Sequence, residues 1–177
     1  MIRLATLALA AAILPLAATS PSLAETASAT AAINKITADG IGAAIGTATF
    51  TDGKDGLEIA IDVKDIAAGE HGMHIHEKGD CAPGEKEGKK VAGLAAGPHF
   101  DPAKTGKHAG PTGQGHAGDM PKLNVTGAET KATLVAPHVK VADIKGRAII
   151  IHEGGDTYSD QPELGGGKAR IACGVIK

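Results

Sequence analysis

A 46-residue stretch, residues 77–122, constrains the fold of this chain more than any other feature of its sequence. Its 10 glycines and 5 prolines leave no room for a regular helix or strand. Because a loop of this length without structure of its own is uncommon in a compact domain, another interaction must organise it. The polar residues that could do so are Cys81, His99, His108, His116 and Asp119. These residue types predict a disulfide and a metal ion as the organisers.

The chain beyond residue 30 otherwise has the pattern of short β-strands separated by glycines. In residues 57–66 the apolar residues Leu57, Ile59, Ile61 and Val63 alternate with mostly polar ones, which is typical of a strand buried on one face. The other candidate strands are residues 31–38, 41–51, 71–76, 131–136, 147–152 and 169–176. No stretch has sustained helical periodicity, so the sequence predicts an all-β antiparallel sandwich or barrel.

The N-terminal 24 residues have the features of a secretory signal peptide. Arg3 precedes an apolar run over residues 4–18, and the segment ends in Ser-Leu-Ala at residues 22–24. The alternative, a transmembrane anchor, needs about 20 unbroken apolar residues. This run is shorter and contains Thr6 and Pro15. We therefore expect cleavage after residue 24 and export to the periplasm.

Cleavage would leave 153 residues, enough for one modest core. Residues 25–30, rich in Ala, Ser and Thr, are predicted to form a flexible lead-in to a single domain over residues 31–177. The net charge would change from −2 to −3, and the chain has three aromatic residues, Phe50, Phe100 and Tyr158. The sequence has neither an excess of cations for phosphates nor stacking platforms for bases, so we expect no nucleic-acid partner. Because residues 1–24 would be cleaved, we also expect no membrane anchor.

Export would place the two cysteines, Cys81 and Cys173, in an oxidising compartment. An even number of cysteines there favours a disulfide over two buried free thiols. The two residues are 92 positions apart. On the loop-entropy model, closing such a loop stabilises the folded state by about 4 to 5 kcal/mol.

Two of the eight histidines lie where strand geometry brings them together. Residues i and i+2 of a strand point to the same face, about 7 Å apart. His74 and His76 can therefore converge on one ion while Met73 and Ile75 face the core. His152 ends another predicted buried strand and supplies a third imidazole.

The long loop supplies a second set of donors. His99, His108 and His116 with Asp119 offer three nitrogens and one carboxylate, which would complete a tetrahedral, structural zinc site. An all-imidazole site with an open position instead suits copper, which competes better than zinc for nitrogen ligands and can change oxidation state. The sequence therefore indicates redox chemistry.

Six fragments, taken in order, resemble the bacterial exported copper/zinc superoxide dismutases. They are residues 72–77 (GMHIHE), 97–102 (GPHFDP), 108–111 (HAGP), 116–119 (HAGD), 146–153 (GRAIIIHE) and 169–176 (ARIACGVI). The resemblance covers nearly all of residues 31–177. It implies an eight-stranded antiparallel Greek-key barrel, an immunoglobulin-like sandwich, with two long loops over the metal site.

The resemblance also implies a role for individual residues. Copper would be bound by His74, His76, His99 and His152, and zinc by His99, His108, His116 and Asp119. Asp156 would orient His74 and His108, and Arg170 would attract the anionic substrate. Cys81 and Cys173 would form the family disulfide.

The implied reaction is disproportionation of superoxide to O₂ and H₂O₂ by redox cycling of copper beside a structural zinc. His99 and Arg170 would be the catalytic residues. In the family mechanism His99 leaves copper on reduction, takes up a proton and delivers it to the departing peroxide.

Two other functions fit parts of the sequence. A periplasmic copper-binding or buffering protein would need the copper histidines, but neither Arg170 nor a ligand shared with zinc. A zinc hydrolase would need an open water position, which the four proposed zinc ligands would fill.

Some points stay open at the level of sequence. His71 is expected to pack and hydrogen-bond rather than ligate, and His138 to be a solvated loop residue. The sequence leaves open a monomer or a homodimer, and it does not identify the lysines that steer substrate.

Overall fold

The computed structural model describes residues 26–177; the predicted signal peptide, residues 1–24, lies outside the described residues. Within that range the chain forms eleven β-strands. They are β1 (Ser28–Thr37), β2 (Gly40–Gly53), β3 (Gly56–Lys64), β4 (Gly69–His71), β5 (Met73–His76), β6 (Gly84–Lys86), β7 (Lys89–Val91), β8 (Leu123–Val125), β9 (Glu129–Ala136), β10 (Ala148–His152) and β11 (Arg170–Val175). A short helix, α1 (Val141–Ile144), and two 3-10 turns, Leu94–Ala96 and Glu163–Gly166, complete the elements. None of the helices in residues 26–177 has the length and apolar character needed to cross a membrane.

The strands form an antiparallel barrel. Seven of them are hydrogen-bonded in the order β5-β10-β11-β1-β2-β3-β9, while β4 pairs with β8 and β6 with β7. Strands β4 and β5 follow each other across Gly72. If they are counted as one and the β6–β7 hairpin is set aside, the described residues contain the eight predicted strands. The pairing of β11 with β1 and of β5 with β10 joins strands distant in sequence, as a Greek key requires.

Buried apolar side chains that alternate with exposed ones along the strands fill the barrel. Leu57, Ile59, Ile61 and Val63 of β3 are all buried, as the sequence pattern predicts. On the neighbouring strand β2, Phe50 lies opposite Ile59 and is also fully buried. One face of β3 therefore packs in the common core while the other meets solvent, whereas β5 and β10 are buried along their whole length.

Two expectations are corrected. Strand β1 begins at Ser28, inside the expected flexible lead-in, because Ala29 packs in the core and Ser28–Thr30 pairs with β2. The long loop does contain regular structure, since a turn at Glu87 and Gly88 lets β6 and β7 form a short hairpin. A two-residue turn needs so little chain that a glycine-rich composition does not exclude it.

The long loop is attached to the free edge of β5, the last strand in the seven-stranded sheet. Ile75 N–H donates to the carbonyl oxygen of Gly118 (2.8 Å), and Phe100 N–H donates to that of Ile75 (2.9 Å). A Cβ on Gly118 would lie 2.3 Å from the Ile75 oxygen, so this approach requires glycine. Backbone pairing is therefore a third organiser of the loop.

The predicted disulfide is present. Cys81, near the start of the loop, is bonded to Cys173 of β11, and both residues are buried. The bond fixes the start of the loop to the strand that also carries Arg170.

Candidate metal centre

Strands β5 and β10 place three histidines at one end of the barrel. His74 and His76 alternate with Met73 and Ile75, and the latter two pack in the core as predicted. His152 is the last residue of β10, where a register irregularity follows Ile151. Irregularities of this kind change the direction of a side chain, here next to the functional cluster.

The first donor group consists of His74, His76, His99 and His152, whose donor atoms lie within 4.8 Å of one another. One nitrogen of each strand histidine has a protein partner. His74 Nε2 donates to Asp156 Oδ2 (2.8 Å), His76 Nδ1 to the Gly97 carbonyl (2.8 Å) and His152 Nδ1 to the Lys168 carbonyl (3.4 Å). These contacts leave the opposite nitrogen of each ring available.

The remaining nitrogens are His74 Nδ1, His76 Nε2 and His152 Nε2, all buried and without a hydrogen-bond partner. Burying one such atom unsatisfied costs about 1 to 3 kcal/mol. Three such nitrogens, on rings whose donor atoms lie within 4.8 Å of one another, suit a metal with imidazole ligands. The residues therefore fit a copper ion.

The protonation of these rings also suits metal binding. Burial, reinforced by the charge of Arg170, lowers the pKa of His76 well below its ordinary value. Burial likewise lowers the pKa of His152, and it brings the pKa of His99 down to about 4. Neutral imidazoles at pH 7 offer the lone pairs that a metal needs.

The second donor group surrounds Asp119 Oδ1. This oxygen lies 3.0 Å from His108 Nδ1, 3.1 Å from His99 Nδ1 and 3.3 Å from His116 Nδ1. Metal–ligand bonds of about 2.0 to 2.1 Å in a tetrahedral zinc site place neighbouring ligands about 3.3 Å apart. The three oxygen-to-nitrogen distances match this spacing, so the four residues fit a zinc ion.

His74 also lies within 4.8 Å of the donor atoms of His99, His108 and Asp119. We nevertheless place it in the first group, because its Nε2 is held by Asp156 and its free Nδ1 belongs with His76 and His152. His99 is shared: Nδ1 lies on the Asp119 side, which leaves Nε2 for the first group.

Asp156 connects the two groups. Its Oδ2 accepts from His74, its Oδ1 accepts from His108 Nε2 (2.7 Å), and Tyr158 N–H also donates to Oδ1 (2.7 Å). Burial would raise the pKa of Asp156, but these hydrogen bonds hold it well below the usual range. For His108 burial would lower the pKa, yet bonding to Asp119 and Asp156 raises it to about 9.

Arg170 lies directly across from His152 in the β10–β11 pairing. Its guanidinium donates to the carbonyl oxygens of Gly93 (2.6 Å) and Gly97 (2.8 Å). These two hydrogen bonds use two of the five N–H groups of Arg170 and fix the position of the guanidinium. The side chain is half-buried.

Several residues of the site have no signal in the sequence. The carbonyls of Gly93 and Gly97 hold Arg170, and Asp160 Oδ1 accepts from His108 N–H (2.9 Å). The Tyr158 ring packs against Gly110, and its hydroxyl accepts from Lys122 N–H (2.9 Å). Tyr158 therefore joins the loop after β10 to two points of residues 99–122, which we call the zinc-ligand segment.

The two histidines outside the ligand sets differ in their surroundings. His71 is buried between the carbonyls of His152 and Ala67, each 2.8 Å from a ring nitrogen, as a packing role requires. His138 is exposed.

Comparison with known proteins agrees with this geometry. A family model described as copper/zinc superoxide dismutase matches residues 44–176. A superoxide dismutase (Cu-Zn) of Escherichia coli K12 is 50% identical over 158 residues, covering 87% of this chain and 91% of that protein. The Brucella abortus relative is 49% identical over 141 residues, covering 78% of this chain and 82% of its own.

Solved structures give the same result. The Cu/Zn superoxide dismutase from Brucella abortus superposes with a TM-score of 0.83 at 46% identity, over 85% of this chain and 100% of that one. The monomeric enzyme from Salmonella enterica gives 0.76 at 47% identity, with the same coverage. Since the family match spans most of its length and relatives share about half of its residues, this chain belongs to the copper/zinc superoxide dismutase family.

Proposed function

We propose that this chain disproportionates superoxide with copper bound by the first donor group and zinc by the second. The copper ligands are His74, His76, His99 and His152, and the zinc ligands are His99, His108, His116 and Asp119. The observation that carries this proposal is the set of three buried, unpartnered imidazole nitrogens beside Asp119 Oδ1, which has nitrogens of His99, His108 and His116 within 3.3 Å.

Bound copper supplies one-electron chemistry, so that one superoxide becomes O₂ and a second, with two protons, becomes H₂O₂. His99 holds one of those protons at Nε2 between the two halves of the reaction. Because its Nδ1 stays on the Asp119 side, the ring keeps its position while the proton moves.

Arg170 attracts the anionic substrate. Two N–H groups bind the carbonyls of Gly93 and Gly97, which leaves the others to face a small anion beside His152. The positive charge is therefore fixed in place before substrate arrives, which raises the local concentration of superoxide.

We infer that the chain is exported to the periplasm. The pattern of residues 1–24 supports this, as does the Cys81–Cys173 disulfide, because such bonds persist in oxidising compartments. Cell fractionation and N-terminal sequencing should find a periplasmic protein that begins at Glu25. A homodimer stays a prediction, and sedimentation of the mature protein tests it.

The metal assignment is tested by one variant in each group. His152→Ala should lower copper content and reduce kcat/KM for superoxide more than about 100-fold, since even the partners of ligands are worth 10- to 100-fold. Asp119→Ala should instead lower zinc content and the melting temperature. Metal analysis, calorimetry and superoxide decay kinetics measure these effects.

Unchanged zinc and melting temperature in Asp119→Ala would contradict the zinc assignment. Full copper loading of the wild type without superoxide decay would favour the copper-buffering alternative.

A further inference from the structure

A cavity of about 360 Å³ lies next to the zinc-ligand group, between the long loop and the turn that follows β9. The loop contributes Thr105, Gln114 and His116 to its lining, and the turn contributes His138. This volume holds several water molecules, so a hydrated cation fits.

Solvent reaches the four zinc donors unequally. The side chains of His108 and Asp119 are 0% exposed and that of His99 is 3% exposed, whereas that of His116 is 9% exposed. Because His116 also lines the cavity, this cavity is the open side of the group.

His138 lines the same cavity as His116 and is the more exposed of the two. Its side chain is exposed, and it lines the cavity. It also lines a neighbouring recess that contains three carboxylates and two lysines: Asp52, Asp55, Asp143, Lys54 and Lys140. Imidazole is a good ligand for zinc, and neither donor group uses this one.

We propose that this cavity is the access route of the zinc site, and that His138 is a transient ligand that captures Zn²⁺ and passes it to His116. The proposal rests on the zinc assignment above. Transfer is a ligand exchange in which the His138 nitrogen and bound waters are replaced by His116, Asp119, His108 and His99. Protons carried by the ligating nitrogens pass to bulk water, and the oxidation state does not change. We call this cavity the zinc port.

The test is the rate at which metal-free protein takes up Zn²⁺, followed by stopped-flow competition with a coloured chelator. His138→Leu should slow uptake about tenfold, the low end of the effect of a site that concentrates ions. The final zinc content should stay the same. His138→Asp, which restores a zinc ligand, should recover most of the rate, whereas a mere packing role would not be rescued.

A second pair of variants tests the route itself. Ala103 is exposed and lines the zinc port, so Ala103→Leu should narrow it and slow uptake. Ala142 is equally exposed but lies on α1, outside the lining, so Ala142→Leu should take up zinc at the wild-type rate.

Equal uptake rates for His138→Leu and wild type would overturn the role of His138. Equal uptake rates for Ala103→Leu and Ala142→Leu would overturn the route. Both tests require that the wild type binds one zinc ion and that Asp119→Ala does not. If the zinc contents of these two proteins are equal, the zinc assignment is wrong rather than the zinc port.

Discussion

At the scale of single residues, the candidate metal centre depends on which nitrogen of each imidazole is hydrogen-bonded to the protein. Gly97 fixes His76 through Nδ1, whereas Asp156 fixes His74 through Nε2, so the other nitrogen of each ring is left without a protein partner and available to the proposed copper. Asp156 does this for His108 as well, so one carboxylate sets the orientation of a ring in each group. Displacement of Asp156 should therefore disturb both metals at once.

Gly165→Ala tests this dependence without replacing any of the proposed ligands. Gly165 has φ +74°, and a Cβ there would lie 2.3 Å from Asp156 Oδ1 and 2.6 Å from His108 Nε2. We expect zinc affinity to fall about 10- to 100-fold, measured by competitive titration. The matched control is Gly88→Ala, which has φ +73° and no neighbour within 4 Å of the added Cβ. Equal zinc affinities in the two variants would contradict the prediction.

The sequence predicts which donor side chains come together better than it predicts what holds them in place. The spacing of His74 and His76 reports a shared strand face directly, because side chains of a strand alternate. The carbonyls of Gly93, Gly97 and Lys168 have no such signature, since every residue carries a carbonyl. The need for glycine at position 165 arises only when distant parts of the chain meet.

At the scale of elements, the segment from Cys81 to Gly97 behaves as a connected unit. Cys81 is bonded to β11, Ala95 N–H donates to the Ala82 carbonyl, and Arg170 of β11 binds the carbonyls of Gly93 and Gly97. The Gly97 carbonyl accepts from both Arg170 and His76, so movement of this segment reaches the proposed copper ligand and the proposed substrate-attracting cation together. Neither the β6–β7 hairpin nor this double contact is predicted by composition.

Reduction of the disulfide should therefore lower activity as well as stability. We expect the free energy of unfolding to fall by about 4 kcal/mol, and kcat/KM to fall because the Gly93 and Gly97 carbonyls no longer hold Arg170 firmly. Chemical denaturation and superoxide decay kinetics on a Cys81→Ala/Cys173→Ala variant measure both. Unaltered activity in a verified, folded and fully metallated sample would count against the coupling.

At the scale of the whole molecule, the negative net charge repels the anionic substrate. The chain carries −2, and −3 without residues 1–24, so attraction must come from local cations rather than from the protein as a whole. The fold provides a local cation at the candidate metal centre, because the β10–β11 register sets Arg170 beside His152.

The salt dependence of the rate follows from this arrangement. A local cation is screened over about 8 Å at physiological ionic strength, so the wild-type rate should fall as salt rises. Arg170→Glu should lower the rate severely and flatten or reverse that slope at unchanged metal content. Pulse radiolysis across a salt series measures it, and equal slopes for the two proteins would exclude a steering role.

Metal-free protein should show an optimum of stability near pH 6.5. His76, His99 and His152 have pKa values lowered by burial, so the unfolded state binds their protons first and stability falls as pH drops below about 6.5. His108, with a pKa raised to about 9, contributes stability that is lost as pH rises through that value. Urea midpoints from pH 5 to 10 test both limbs, and a midpoint that rises steadily toward acid pH would contradict them.

Tyr158 gives this molecule an optical property that bears on all of these experiments. It is the sole tyrosine in a chain without tryptophan, so near-ultraviolet emission originates almost entirely from this ring. The ring lies against Gly110 and its hydroxyl accepts from Lys122 N–H, and each of these contacts is lost if the zinc-ligand segment detaches. Fluorescence intensity and near-ultraviolet circular dichroism therefore report docking of that segment in the unmodified protein, with no label introduced.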